Sequence, residues 1–206
     1  QQQQLLLEVQ FQKNMELFKK FAKPVYDEYF DYKPKELAIN FDEDGDINLA
    51  NIHSGNVVYD QKPEIHNQQQ FDNYCKNPTW LKVGFMGPTE RYFFQLPLIK
   101  QIIDRNQKAL KHQSASLDKP IGVMVVNGCG LGHHIQKLIE RADIYTIVIF
   151  DPHKDSFYAS LHTVDWAPII KYFYRPGRLI RMFIGNSDRD TLTSLRLLTN
   201  KVGLHN

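Results

Sequence analysis

Cysteine is scarce in this chain of 206 residues: Cys75 and Cys129 are the two it has. Two cysteines make no disulfide framework, so the expected compartment is a reducing cytoplasm. Long apolar runs are lacking as well. None approaches the roughly eighteen residues of a membrane span, and Leu5-Leu6-Leu7 is far too short for a secretory signal. Charge of one sign does not accumulate either. The net charge is +2, with 15 bases and 16 acids in residues 1–119 and 10 bases and 7 acids in residues 120–206. Neither part is basic enough to expect a nucleic-acid partner. There is no Walker loop, no nucleophile elbow and no spaced carboxylate pair. The eight histidines show no metal-ligand spacing. His133 and His134 are adjacent, so they point to different sides of a helix, and neither has a partner at i+4. His153 and His162 have no cysteine near them, and no metal is expected.

What is present centres on Pro120 to Asp155. Ile121 to Val126 is a short, nearly unbroken apolar run, the pattern of a strand buried on both faces of a parallel sheet. Asn127-Gly128-Cys129-Gly130-Leu131-Gly132 follows at once, and then Leu131, Ile135, Leu138 and Ile139 recur at helical spacing. A second apolar run, Ile144 to Phe150, ends on Asp151-Pro152. The order strand, glycine loop, helix, strand predicts a βαβ unit with a right-handed crossover.

Three glycines at such a junction let the chain turn sharply and let a ligand approach the backbone without meeting a Cβ. The helix behind them offers unpaired N–H groups and a partial positive charge, a seat for a phosphate or carboxylate. Asp151 closes the second strand, where an acid can accept hydrogen bonds from ribose hydroxyls. Asn127, Gly128, Gly130, Gly132, His134 and Asp151 are therefore the candidate cofactor-binding residues. The plainer alternative makes the glycines a tight turn and Asp151 a cap for the next helix. The spacing G-x-G-x-G lacks the glycine that the nicotinamide pattern would need at position 133. It is closer to enzymes that bind S-adenosylmethionine, although those carry an acid where this chain has Asn127. A methyltransferase-like enzyme is the alternative function.

Gln1 to Lys23 predicts a helix with Leu7, Phe11, Phe18 and Ala22 near one face and Met15 and Phe21 beside them, ended or bent by Pro24. The aromatic band from Val25 to Tyr32 suits packing against a neighbour better than a sugar-stacking surface. Glu36 to Tyr59 alternates like a β-meander, turning at Asp42 to Asp46 and again at Ser54-Gly55-Asn56. The acidic turn places glycine fourth and His53 twelfth, so a hairpin turn is expected rather than a calcium loop. A short helix is expected from Glu64 to Tyr74, aromatic turns from Trp80 to Phe94, a helix from Leu96 to His112 and a linker from Gln113 to Lys119. After Asp151, Phe157, Leu161 and Val164 mark a helix whose end Pro168 disturbs. Arg175, Arg178 and Arg181 lead into a third strand, Leu179 to Ile184; they suit a solvated surface better than an anion grip. Gly185-Asn186-Ser187 then opens a final helix through Asn200.

The fold class expected is α/β. Residues 120–206 form a partial doubly wound, Rossmann-like parallel sheet, and residues 1–119 form a small α+β subdomain with the β-meander. The chain opens on glutamine and stops soon after its third strand, which suggests the N-terminal region of a longer protein.

The run N-G-C-G-L-G-H-H-I-Q-K-L, followed by I-V-I-F-D-P-H-K-D-S-F-Y-A-S-L-H-T-V-D-W, resembles the motility-associated factor (Maf) flagellin glycosyltransferases. The resemblance covers Asn127 to Trp166 and is specific there. The acidic hairpin at Asp44-Gly45-Asp46 fits the family's layout more weakly. Gly128, Gly130, Gly132, His134, Asp151, Asp165 and Trp166 are the matching motif positions, and the resemblance assigns no catalytic role to any of them. It implies a bacterial protein acting in the cytoplasm before flagellar export. The full-length members are thought to transfer a nonulosonic acid from a CMP-sugar to flagellin serine or threonine. Their catalytic domain lies beyond the region present here, so the chain alone is expected to be inactive. Flagellin is the implied partner and a flagellin chaperone a further one. The implied ligand is a nucleotide or CMP-sugar in the full-length protein. A non-catalytic module binding flagellin or its chaperone through residues 1–119 is the remaining alternative.

Overall fold

The structure is a computed structural model that describes residues 2–42, 44–78 and 117–186. Three parallel strands form its centre: β3 (Ile121–Asn127), β4 (Ile144–Asp151) and β5 (Leu179–Ile184), in the order β3-β4-β5. Val125 pairs with Val148 and Val148 with Arg181; one residue on, Val126, Ile149 and Met182 form the next row. Helix α4 (His133–Arg141) joins β3 to β4. Helices α5 (Lys154–Thr163) and α6 (Trp166–Phe173) join β4 to β5. Both crossovers advance the sheet in the same direction. Right-handed connections then put all three helices on one face. There Met124, Val126, Ile147 and Ile149 share a core with Ile135, Leu138, Phe157, Leu161 and Ile169.

The expected single helix after Asp151 is two helices. Asp165 breaks the run in extended conformation and accepts the Ala167 N–H at 2.9 Å, so α6 starts afresh. Pro168 lies in the first turn of α6, where its missing N–H costs nothing, rather than at the end of a longer helix.

Helix α1 (Gln2–Phe21) buries Phe11, Met15 and Phe18 as its spacing predicts, and also Asn14. The Asn14 amide donates to the Leu161 and Val164 carbonyls at 2.7 and 2.8 Å and accepts the Trp166 N–H at 3.0 Å. One side chain thus latches the α5–α6 break. Helix α2 (Lys23–Tyr29) starts with Pro24 in its first turn. The aromatic band packs inward: Tyr29 lies edge-on to Phe157 at 5.0 Å and Tyr32 tilts against Tyr158 at 5.3 Å. Phe11, Met15, Phe18 and Tyr29 belong to the same hydrophobic core as the parallel sheet. The core therefore runs across the division placed near residue 119.

The acidic hairpin joins β1 (Leu37–Phe41) to β2 (Ile47–Asn51) in antiparallel register. Asp42 accepts the Asp46 N–H on its carboxylate at 2.7 Å and the Gly45 N–H on its carbonyl at 3.0 Å. Lys62 pairs with Asp46 and lies 3.9 Å from Asp44. The third limb of the meander is shorter than expected, a single bridge between Ala50 and Val57. Asn48 explains the contraction: its side chain donates to the Tyr59 carbonyl at 2.9 Å and accepts the Tyr59 N–H at 3.3 Å, standing in for a ladder.

Asp155, 5% exposed, fixes this hairpin to the sheet layer. Its carboxylate accepts the Lys35, Glu36 and Leu37 N–H groups at 3.0, 2.6 and 2.9 Å and the Tyr32 hydroxyl at 2.6 Å. Burial alone would raise its pKa, but these donors hold it below the usual carboxylate value. Helix α3 (Pro63–Lys76) matches the expected helix, extended by one residue at its start and two at its end, and packs beside α4. The aromatic turns of 80–94, the helix of 96–112, most of the 113–119 linker and the last helix lie outside the described residues.

Candidate functional site

The glycine loop stands at the carboxyl end of β3, as its place after an apolar run requires. Its amides are largely taken by the protein. The Gly128 N–H continues the ladder to the Phe150 carbonyl at 2.6 Å, and the Gly132 N–H closes a turn on Cys129 at 2.7 Å. The Cys129 N–H donates to Asp151 Oδ2 at 2.7 Å, and the His153 N–H donates to Asp151 Oδ1 at 2.9 Å. The Leu131 N–H donates to the Tyr59 hydroxyl at 3.4 Å.

Two glycines are dictated by this geometry. Gly130, with φ +49°, lies so close under the Tyr59 hydroxyl that a Cβ there would collide with it. Gly132 has φ +82° at the start of α4, and a Cβ would stand 3.0 Å from Val164 Cγ2 and 3.1 Å from Ser160 Cβ. The third glycine therefore lets α4 close on α5, while the second makes room for Tyr59.

Asp151 departs from the ribose-acceptor role expected of it. It is 2% exposed, and both carboxylate oxygens face loop N–H groups. Nor does it cap α5, whose N-cap residue is His153 without a side-chain bond. It holds two backbone segments together. Burial raises its pKa, offset in part by those N–H donors. Burial likewise pushes the Cys129 thiol well above its ordinary value, so that thiol is inert packing. The methyltransferase alternative loses its ribose ligand with Asp151.

Beside the loop is a cavity of about 330 Å³ between α3, β3 and α4. Asn127, Gly128, Gly130 and His134 line it, so four of the six candidate residues do meet at one crevice. Gly132 and Asp151 stand behind it, shaping the loop. The opposite wall comes from Tyr59 and α3: His66, Asn67, Gln70, Phe71 and Tyr74. Sequence reasoning missed that wall. Its signal is faint: positions 66, 67, 70, 71 and 74 share one helical face, but most of them are polar.

Two polar atoms at this cavity are buried without a hydrogen-bond partner, Asn67 Nδ2 and His134 Nδ1. Asn67 is only 2% exposed. Burial lowers the His134 pKa to about 4, so it is neutral near pH 7. Burial also lowers His133. Tyr59 is raised by burial, against the lowering effect of the Leu131 N–H.

The arginines preceding β5 belong to the other end of the sheet. Arg178 donates to Asp143 Oδ1 at 2.6 Å and to the Tyr172 hydroxyl at 2.7 Å, lies 4.4 Å from the Tyr172 ring centre and bonds the Ile144 carbonyl. It braces the start of β4. Asp165 and Trp166 are also structural. Trp166 is fully buried 5.3 Å from the Phe157 ring and 5.8 Å from Phe18. Among the described residues, no group of three or more His, Cys, Asp or Glu is placed to hold a metal ion. No helix among them is long and apolar enough to cross a membrane.

A βαβαβ sheet with a glycine loop at the carboxyl end of its first strand defines a Rossmann-like α/β protein. The family model described as the glycosyltransferase Maf N-terminal domain matches residues 10–205, and the chain belongs to that family. Among solved structures it is similar to the Maf glycosyltransferase from Magnetospirillum magneticum AMB-1, with a TM-score of 0.67 and 21% identity. The match covers 93% of this chain and 30% of that one, so the chain spans under a third of its structural relative. No curated protein matches.

Proposed function

We propose that the full-length protein is a flagellin-modifying glycosyltransferase of the bacterial cytoplasm. It transfers a nonulosonic acid from its CMP-activated form to flagellin serine or threonine. Residues 1–206 serve assembly of the enzyme and presentation of the acceptor. The observation that carries this reading is the match to the N-terminal domain model over residues 10–205. The geometry supports a non-catalytic role. Asp151 faces inward, Cys129 is buried with a raised pKa, and the loop amides bond protein atoms.

The test is transfer by the purified 206-residue chain, given CMP-nonulosonate and flagellin, beside the full-length protein. The expected result is transfer by the full-length protein only, with flagellin or its chaperone retained by the shorter chain. Turnover by the 206-residue chain alone would overturn the division of labour. Absence of transfer by the full-length protein would overturn the activity.

A further inference from the structure

We infer that the cavity between α3 and the glycine loop is a binding site for an uncharged planar heterocycle of the nucleobase class, read by Asn67 and His134. The inference goes beyond the transferase reading and does not depend on it.

The apolar part of the wall is set by Phe71, Tyr74, Met124 and Leu138, all packed on the main core. These side chains suit a flat ring. The polar part is incomplete. A buried amide or imidazole nitrogen without a partner is costly, about 1–3 kcal/mol for a neutral group, and native structures hold few of them. Here both belong to residues that line one cavity. Asn67 Nδ2 is a donor. His134 is neutral, and its unpaired Nδ1 can accept or donate according to the tautomer a ligand selects. With Nδ1 accepting, the amide and the imidazole complement a ligand edge that carries an acceptor near an N–H. Nucleobases present that edge.

The site is matched to the base rather than to a phosphate. No lysine or arginine is among the described residues lining the cavity. The Tyr59 hydroxyl covers Gly130 and takes the Leu131 N–H, where a phosphate would otherwise approach the loop. The volume, about 330 Å³, falls at the lower end of small-molecule sites.

The experiment is titration of the 206-residue chain with adenosine, cytidine, guanosine and uridine, and with their 5′-monophosphates, by calorimetry and by amide chemical shifts. At least one nucleoside is expected to bind with Kd below about 1 mM, with its monophosphate no more than about threefold tighter, since no cation among the described residues lines the crevice. Asn67→Leu and His134→Leu are each expected to weaken binding about tenfold or more. Asn67→Leu keeps the branched shape and removes an unpaired amide nitrogen, so its melting temperature should equal or exceed that of the parent. That separates lost recognition from lost folding. Failure of all four nucleosides to bind at about 1 mM overturns the proposal. So does binding that Asn67→Leu leaves unchanged, or binding that requires the phosphate.

Discussion

At the amino ends of β4 and β5, Arg178 meets a carboxylate, a phenol, a carbonyl and an aromatic face. At the carboxyl end of β3, Asn67 and His134 each bury a nitrogen that meets nothing. The two ends belong to one sheet and are built from similar kinds of residue. One end satisfies its polar groups locally, as a part with only a structural task does. The other keeps unpaired groups around a cavity, and native proteins retain such groups where a partner arrives from outside. A glycine loop by itself does not mark the second kind of place. In this protein the loop is tied by Asp151 and Tyr59, and the unsatisfied atoms lie next to it.

The largest effect that would break this contrast is expected at the glycine loop. Gly132→Ala forces a left-handed residue and a contact with Val164 and Ser160, and should cost about 3 kcal/mol. Urea unfolding measures it; a loss under about 1 kcal/mol would mean that α4 does not close on α5 as described. Asp151→Ala comes next, at about 2–3 kcal/mol, because two N–H groups lose their acceptor. In the same variant the freed Cys129 amide should let inorganic phosphate raise the melting temperature, which it should not do in the parent.

The pH dependence is smaller. His134 has a folded pKa near 4, below the unfolded value near 6.5. The unfolded chain therefore binds more protons between those values, and stability is lost as pH falls from about 6.5 toward 4, by about 3 kcal/mol. His133 and His162, also lowered by burial, act in the same direction, while the raised Asp151 acts in the opposite one. Equilibrium unfolding at pH 7, 5.5 and 4.5 checks the sign, and His134→Leu should flatten the slope. The smallest effect sharpens the contrast from the other end. Arg178→Met should cost about 1 kcal/mol, since Asp143 is half-exposed and screened. It should leave nucleoside binding unchanged in calorimetry.

Much of the frame was legible before any coordinates. Two unbroken apolar runs around a glycine loop gave the parallel pair β3 and β4, and the spacing of Phe11, Met15 and Phe18 gave the buried face of α1. The turn chemistry of Asp42 to Asp46 gave the hairpin. The site was legible only in part. Asn127, Gly128, Gly130 and His134 are local to one turn and do line a crevice. Asp151 was read as a ribose acceptor from its type and position, and its carboxylate here accepts the nearer amides of Cys129 and His153. Asn67 carried only the faint signal of a shared helical face, being one polar residue among many in α3.

The sequence by itself determined where strands, turns and helices start and stop, because periodicity and glycine chemistry act over a few residues. It also carried the family likeness of Asn127 to Trp166, since those residues make the loop and the Phe157–Trp166 packing in place. Only the tertiary structure decided that Tyr59 would cover Gly130, that Asn14 would latch α5 to α6, and that α3 would complete the crevice. Those contacts join residues far apart in the chain. Whether a buried polar atom is satisfied depends on neighbours that the chain order does not reveal.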